Sequence, residues 1–546
     1  MKILMNFIKE LLIINKFKNH NKKIFKDNLI KKNGKKYNIL LEFNAFHTHH
    51  IIFSYLVNYF KKKYYCNFYA YPSHMLLSYE IEKNKINKIK KFFAILFNLK
   101  TYGIYKSFGV NTFIDFKITK EIIIKSKKEK NRIFKKIKNK QDINKIKVKN
   151  VLIGDLLYDT YLKRNYDLKP TIDIQSIKFQ IFAENFLNLF FLWNEFIKKE
   201  KIDFVICSHD VYALGIPLRI CTSRNCESFV VDHDKISRLT KKYFYKYSIT
   251  KLYKKIFSEF KSKEKKLYIL KAKNSLNQRF EGSIKDISYM TASSFMKNIS
   301  VHNKKLEKVK NFKNKVKILV SPHDFVDAPH VYGNWVFPDM YEWIKFLAKL
   351  TKKTDYLWFI KAHPKMNEKY KSYQKYTRKV ISSLIKESNF ILLNPNTSHN
   401  HLINKIGIDC VLTVTGTIGH EYAAHGVNVI NASPTNMHQS FNFNYHAKNF
   451  KHYNNLIMNI KKLNKKINYE EVLQCYFMHY IYTESNWFFK NFNDYLTKIK
   501  GYHNLSSIKA YEQWMNIHNE QEDNNILKRI DNFLSSKDLV FMMKHN

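Results

Sequence analysis

The sequence predicts an α/β protein made of two Rossmann-like, doubly wound halves, with extra helices at its N- and C-terminal ends. Two observations carry this. Within 202–234 an apolar run, a helical segment and a second apolar run follow one another in about thirty residues, which implies parallel pairing through a right-handed crossover. From 316 to 431 five further short apolar runs alternate with segments of helical periodicity. The length of 546 residues, 45% hydrophobic and 16% aromatic, supplies enough apolar surface for more than one core.

Residues 1–35 read as a basic amphipathic segment. The opening 1-MKILMNFIKELLIINKF-17 is broken by Lys9 and Glu10 and lacks a small-residue cleavage site, so it is not a secretory signal. It suits either a membrane-surface anchor or a docking helix. The first half spans 36–310. The strand 38-NILLEF-43 runs straight into a helical pattern at 44–63, and helical segments then dominate to about residue 200. A Lys-rich stretch at 125–149 reads as an exposed helix pair or loop, and 175–201 as a long apolar helix. The strand 202-IDFVICSHD-210, the helix 211–225 and the strand 228-SFVVDHD-234 follow, and 235–312 is basic and mostly helical. The second half, 315–450, has strand candidates at 316–325, 356–364, 389–395, 410–416 and 427–431. Residues 451–546 form a helical C-terminal region with a polar tail.

Ninety-five Lys and Arg against 45 Asp and Glu give a formal charge of +50. The lysines are dispersed in a chain saturated with Lys, Asn and Ile, so much of the excess reads as compositional background; no nucleic-acid-binding module is legible, and an anionic membrane surface would attract the chain either way. A basic nucleic-acid- or membrane-binding protein is the rival from another class. The six Cys form no C-x-x-C pair and several sit in apolar runs, which predicts reduced thiols and a cytoplasmic setting. No apolar run reaches the length of a membrane span.

In a doubly wound sheet, ligands sit beyond the carboxyl ends of the strands, so the polar residues there are the candidates. In 415-TGTIGHE-421, Thr415, Gly416 and Gly419 suit a tight turn and close approach to a ligand. Thr417 is placed to cap the following helix or to offer its hydroxyl to a phosphate, and the helix start favours an anion. Glu421, one turn in, can accept from ribose hydroxyls. In 361-KAHP-364, His363 can donate to a phosphate oxygen, Lys361 is expected to alternate toward another face, and Pro364 stops the strand. The stretch 323-HDFVDAPHVYGN-334 places His323 near the donor, with Asp327 and His330 on a cleft-lining loop; its spacing fits no standard metal loop. In the first half, Glu42, Asp155, His209 and Asp210 are alternatives for a base that deprotonates an acceptor hydroxyl. Tyr212 and Arg219 stand near them. The cluster 47-HTHH-50 lacks nearby Cys or carboxylate partners in the sequence, which argues against zinc.

The combination of KAHP, TVTGTIGHE (413–421) followed by a helix and VNVI, HDFVDAPHVYGNWVFPDMYEWIKFL (323–347) and SHDVYALGIPLRI (208–220) resembles the bacterial capsule polysaccharide biosynthesis proteins, GT-B glycosyltransferases related to Kdo-type transferases. The resemblance covers most of 150–435. It implies two Rossmann domains facing a cleft and a metal-independent transfer from a nucleotide sugar, CMP-activated in Kdo enzymes, to a polysaccharide or glycolipid acceptor. It places His363 and Thr417 on the donor phosphate, Glu421 on the ribose, and the base and acceptor on the first domain. It implies no cofactor beyond the donor substrate, and work at the inner face of the cytoplasmic membrane. The chain departs from the pattern at His420 and at 425-HGVN-428, which bears on the donor's identity. A nucleotide-sugar epimerase and a teichoic-acid-type polymerase are alternatives with the same architecture.

Overall fold

The computed structural model describes residues 2–25, 35–44, 46–72, 85–165, 167–233, 235–283, 294–295, 314–363, 371–483 and 487–545. Pro364 and the 26–34 part of the basic N-terminal stretch lie outside them.

Two six-stranded sheets dominate the structure. The first contains β1 (Lys36–Phe43), β2 (Tyr65–Pro72), β3 (Thr112–Phe113), β6 (Phe204–Cys207), β7 (Glu227–Val231) and β8 (Ile236–Leu239). A small antiparallel hairpin, β4 (Lys147–Val148) with β5 (Val151–Leu152), stands apart. The second sheet contains β9 (Lys317–Val320), β10 (Leu357–Ile360), β11 (Phe390–Leu392), β12 (Cys410–Thr413), β13 (Asn428–Asn431) and β14 (Tyr445–His446). Their spatial orders are β3-β2-β1-β6-β7-β8 and β11-β10-β9-β12-β13-β14. Counted within each sheet, both read 3-2-1-4-5-6, the order of a dinucleotide-type Rossmann domain. Every pairing is parallel except β7 with β8. The protein is therefore a GT-B-like pair of Rossmann-like domains with additional terminal helices. In each sheet the order reverses beside the first strand, between β1 and β6 and between β9 and β12. Connections leave in opposite directions there, so a crevice opens beyond the carboxyl ends.

The strands read as unbroken apolar runs because both faces are covered. Leu40 packs in one core and its neighbours Ile39 and Leu41 in another, all without exposed surface. The second sheet repeats this with Ile318 and Val320 on one side and Leu319 on the other. One expectation fails here. Helices do not fill 64–200: 65-YCNFYAYP-72 is a strand paired with β1 over eight positions. Tyr and Phe favour a pleated, half-buried surface, and a full-length parallel partner outweighs any helical spacing. The expected strand 228–234 ends at Val231. The expected helix 211–225 divides into a 3-10 turn, Tyr212–Gly215, and a helix, Ile216–Ser223.

The terminal segments belong to the first half. The N-terminal helix, Lys2–Ile24, buries Ile13, Ile14 and Phe17, and Phe17 stacks on Tyr511 at 4.1 Å. Trp487, Phe488, Tyr495, Trp514 and Phe533 fill the same core beside Ile39 and Leu41. The polar tail is not free, since Val540 bridges Ser237 and Phe541 N–H donates to Ile236 O. Conversely, the helices within 249–280, expected in the first domain, pack on the second half. Tyr253, Phe257, Ala272 and Leu276 share a core with Ala423, Phe441 and Tyr476.

The two halves meet through polar contacts. His330 is buried and its Nδ1 lies 2.5 Å from Asp159; burial opposes its charge, but Asp159 outweighs that and raises its pKa. Tyr158 donates to Asp339, as does Thr171 at 2.6 Å, and Lys163 and Tyr212 both donate to Asp327. Tyr212 adopts φ 56°, a conformation costly for a bulky residue. His330, Asp327 and Tyr212, expected on a substrate-lining loop, thus join the domains.

Asp155 and Arg219 form a buried ion pair, Nη2 to Oδ2 2.6 Å, with the guanidinium over the rings of Phe244 and Tyr245. Removing one partner strands the other charge. Arg219→Leu is expected to lower unfolding free energy by about 3–5 kcal/mol in denaturant titration; a loss under about 1 kcal/mol would show that the pair is not structural.

Candidate functional site

Beyond the carboxyl ends of β9, β10 and β12, at the reversal of the second sheet, lies a pocket enclosing about 510 Å³, open solvent included. Ser321, Pro322 and His323 follow β9, Lys361, Ala362 and His363 follow β10, and Gly416, Thr417, Ile418 and Glu421 follow β12. His363 and Thr417, widely separated in sequence, line the same space. So do Lys361 and His363, because alternate residues past a strand end fall on one side; the expectation that Lys361 turns away is corrected. Thr415 is buried and does not line the pocket.

Two lining residues, Arg279 and Ser294, escaped the sequence reading, and a third, His399, lies in the polar stretch 394-NPNTSHN-400 that the sequence marks without giving it a role. Arg279 arrives on the helix Ser262–Phe280, held in place by the core that ties 249–280 to the second half. Its Nε and Nη2 donate to Glu421 Oε1 at 3.0 and 2.5 Å, both residues being buried. No sequence signal marks it, since 142 residues separate the pair. His399 was visible only as part of the polar stretch after β11. Its Nε2 lies 3.2 Å from Lys361 Nζ and its Nδ1 2.9 Å from the Tyr422 hydroxyl. Burial, and then the charge of Lys361, push its pKa well down. It is therefore a neutral imidazole that accepts from Lys361 and donates to Tyr422. Lys361 is itself buried, and desolvation lowers its pKa to about 8 while Glu421 pulls the other way. His323 is pushed down to about 4 by burial.

The glycines act differently from expectation. A Cβ on Gly416 would come within 2.9 Å of Thr413 Oγ1 and 3.0 Å of His323 Nε2; one on Gly419 would come within 2.4 Å of the His438 ring. They make room for histidines. Thr417 caps nothing with its side chain, which leaves its hydroxyl directed to other use in the pocket. The helix it begins, Ile418–Ala423, has only six residues, and the N–H groups of 419–421 already bond to Gly416 and Thr417. Positive potential here comes from Lys361 and Arg279 rather than from a helix start.

In the first half, three of the four expected bases are occupied. Glu42 is buried and its carboxylate accepts from Ser208 N–H, from Ser208 Oγ at 3.0 Å and from Asn44 Nδ2 at 3.1 Å. Burial raises its pKa, against the nearby His209. Asp155 faces Arg219. Asp210 is buried and accepts from Lys246 N–H at 2.7 Å. His209 is exposed, and its Nδ1 lies 2.5 Å from Ser208 Oγ. Ser208 gives its proton to Glu42, so His209 Nδ1–H donates to Ser208 and Nε2 keeps its lone pair.

No family model and no curated protein matches the chain. Solved structures align with it over nearly their whole length. A UDP-GlcNAc 2-epimerase from Neisseria meningitidis bound to UDP-GlcNAc is 12% identical, over 88% of this chain and 100% of its own, with TM-score 0.23. The UDP-GlcNAc 2-epimerase of Methanocaldococcus jannaschii in complex with UDP-GlcNAc and UDP is 10% identical, over 81% and 98%, TM-score 0.23. A glycosyltransferase from Rickettsia africae ESF-5 is 12% identical, over 92% and 100%, TM-score 0.19. At these values no activity transfers, and the fold assignment stands on the strand orders.

Gly419→Ala is expected to destabilise the protein by about 1–3 kcal/mol through overpacking against His438, read as a lowered melting temperature. Unchanged melting would mean that the His438 ring moves aside freely.

Proposed function

We propose that this protein is a glycosyltransferase that binds a nucleotide sugar in the second-sheet pocket and transfers the sugar to an acceptor held by the first domain. The observation that supports this most is the convergence of Lys361, Arg279, His363 and Thr417 at the reversal of a Rossmann sheet, with a single carboxylate among them. Among the described lining residues Lys361 and Arg279 stand against one carboxylate, Glu421, and a phosphate would balance the remaining positive charge. Glu421 uses Oε1 for Arg279, and Oε2 is the oxygen we assign to the nucleotide's ribose hydroxyls. His363 and Thr417 would donate to the phosphate as it leaves, so charge there is met by protein groups without a metal. His209, oriented through Ser208 by Glu42, is the base that would take the acceptor's proton at Nε2.

The acceptor in this reading is lipid-borne, a precursor of surface polysaccharide or glycolipid. Among the described residues no helix is long and apolar enough to cross a membrane. Two helices that each pack against the helix Lys100–Ser107 instead expose apolar stripes: Met5, Ile8 and Leu12 on Lys2–Ile24, and Ile89, Phe92, Phe93 and Leu96 on Lys85–Leu96, continued by Phe97 and Leu99. Exposed Lys9, Lys16, Lys90 and Lys100 flank them. Apolar side chains between lysines suit the surface of an anionic bilayer.

A nucleotide thermal-shift screen tests the pocket, with CMP favouring a Kdo-type donor and UDP or GDP another sugar. His363→Ala and Glu421→Ala are expected to lower transfer at least ~100-fold, whereas His209→Ala should abolish transfer and leave nucleotide affinity intact. Wild-type rates in all three would remove the proposal, and the appearance of epimerised sugar without any acceptor would make the enzyme an epimerase. Nucleotide affinity should withstand chelators. It should fall as pH rises through about 8, where Lys361 loses its proton, and isothermal titration should show that fall reduced in Lys361→Met. For the membrane face, Phe92→Glu with Phe93→Glu is expected to reduce co-sedimentation with phosphatidylglycerol vesicles at least ~10-fold, with little binding to phosphatidylcholine in either protein.

A further inference from the structure

The 47-HTHH-50 cluster gains from the fold the carboxylate that its sequence neighbourhood lacks. Asp232 and His233 follow β7, and the helix after β1 brings Thr48 and His49 against them. One nitrogen or oxygen from each of His49, Asp232 and His233 lies within 4.8 Å of the other two. His50 is excluded, since its nitrogens meet the Tyr511 hydroxyl and Asn44 O.

His49 is the decisive residue. It is 1% exposed, and neither ring nitrogen has a hydrogen-bond partner among the described residues. A buried imidazole with both nitrogens bare carries a desolvation cost that no hydrogen bond from a described residue offsets. It stands edge-on to His233, ring centroids 4.6 Å apart. His233 Nε2 meets Thr48 Oγ1 at 2.7 Å, and its Nδ1 lies 3.0 Å from Asp232 Oδ1. That last separation is close to the roughly 3.3 Å edge of a tetrahedron with bonds of about 2.0 Å. The second carboxylate oxygen, Oδ2, is held by Lys246 Nζ at 3.0 Å.

We propose that His49, His233 Nδ1 and Asp232 Oδ1 bind a divalent transition metal of the zinc class, with a fourth position open to water. Two imidazoles and one carboxylate are a borderline donor set suited to zinc. Thr48 then fixes the His233 tautomer from outside, as an outer hydrogen bond to a metal-bound imidazole does. Lys246 fixes the carboxylate in the same way. The open position falls beside Asp232, the one ligand that is partly exposed. The site lies at the carboxyl end of the first sheet, apart from the phosphate-suited pocket, and does not depend on the donor reading.

The test uses full-length protein, stripped with chelator, reloaded with Zn²⁺ or Co²⁺ and passed through gel filtration. One metal per chain and the d–d spectrum of tetrahedral Co²⁺ are expected. Asp232→Asn and His49→Gln should each lower metal affinity at least ~100-fold, and Thr48→Val about 10–100-fold. Circular dichroism checks each variant's fold; if His49→Gln does not fold, the partly exposed Asp232 decides through Asp232→Asn. Failure to retain stoichiometric metal, or wild-type affinity in Asp232→Asn, overturns the proposal.

Discussion

The buried contact between Arg279 and Glu421 sets the character of the second-domain pocket. Glu421 is the carboxylate that lets two cations, Arg279 and Lys361, coexist away from water. Without it, desolvation would drive Lys361 further toward its neutral form, and Arg279 would lose the acceptor that orients its guanidinium. With it, the described lining residues carry one more positive charge than negative. His399 adds to this by remaining neutral: it takes a hydrogen bond from Lys361 without contributing charge of its own.

The same economy of buried charge joins the halves. His330 with Asp159, Tyr158 and Thr171 with Asp339, and Lys163 and Tyr212 with Asp327 add hydrogen bonds and ion pairs to an apolar core that includes residues of both halves, among them Tyr158, Leu162, Val326 and Trp335. Such contacts are directional, so they fix the angle at which the two sheet ends face each other. Tyr212, whose backbone has a positive φ, contributes its hydroxyl to that fixation through Asp327.

Much of the second domain was legible because parallel strands buried on both faces announce themselves as short, continuous apolar runs, and their polar endings mark the crevice. His363, Thr417 and Glu421, which line that crevice, were singled out in this way; Lys361, expected to face elsewhere, lines it as well. The strand at 65–72 was not, because its aromatic residues suit either a helix or a pleated surface and only pairing with β1 decides. Arg279 was beyond reach for a different reason: its role depends on a packing relation between 249–280 and 469–482 that no local pattern encodes. Asp155, Asp210 and Glu42 looked available as bases because a sequence displays acids and conceals the partners that occupy them. The glycines at 416 and 419 were rightly singled out, yet their neighbours are histidines from distant loops.

The two ends of the chain meet in one core, where Phe17 lies on Tyr511 and residues near 540 align with β8. That arrangement makes the second sheet an insertion within the first domain's sequence. During synthesis from the ribosome, the second Rossmann unit can close on itself while the first still waits for residues 487–541 to emerge. The part of that core which Trp487, Tyr511, Trp514 and Phe533 fill therefore stays open during translation of the intervening chain, while Phe17, Ile51, Phe53 and Tyr105 can already cover the rest. Chaperone demand and aggregation risk fall on the half that begins first and finishes last.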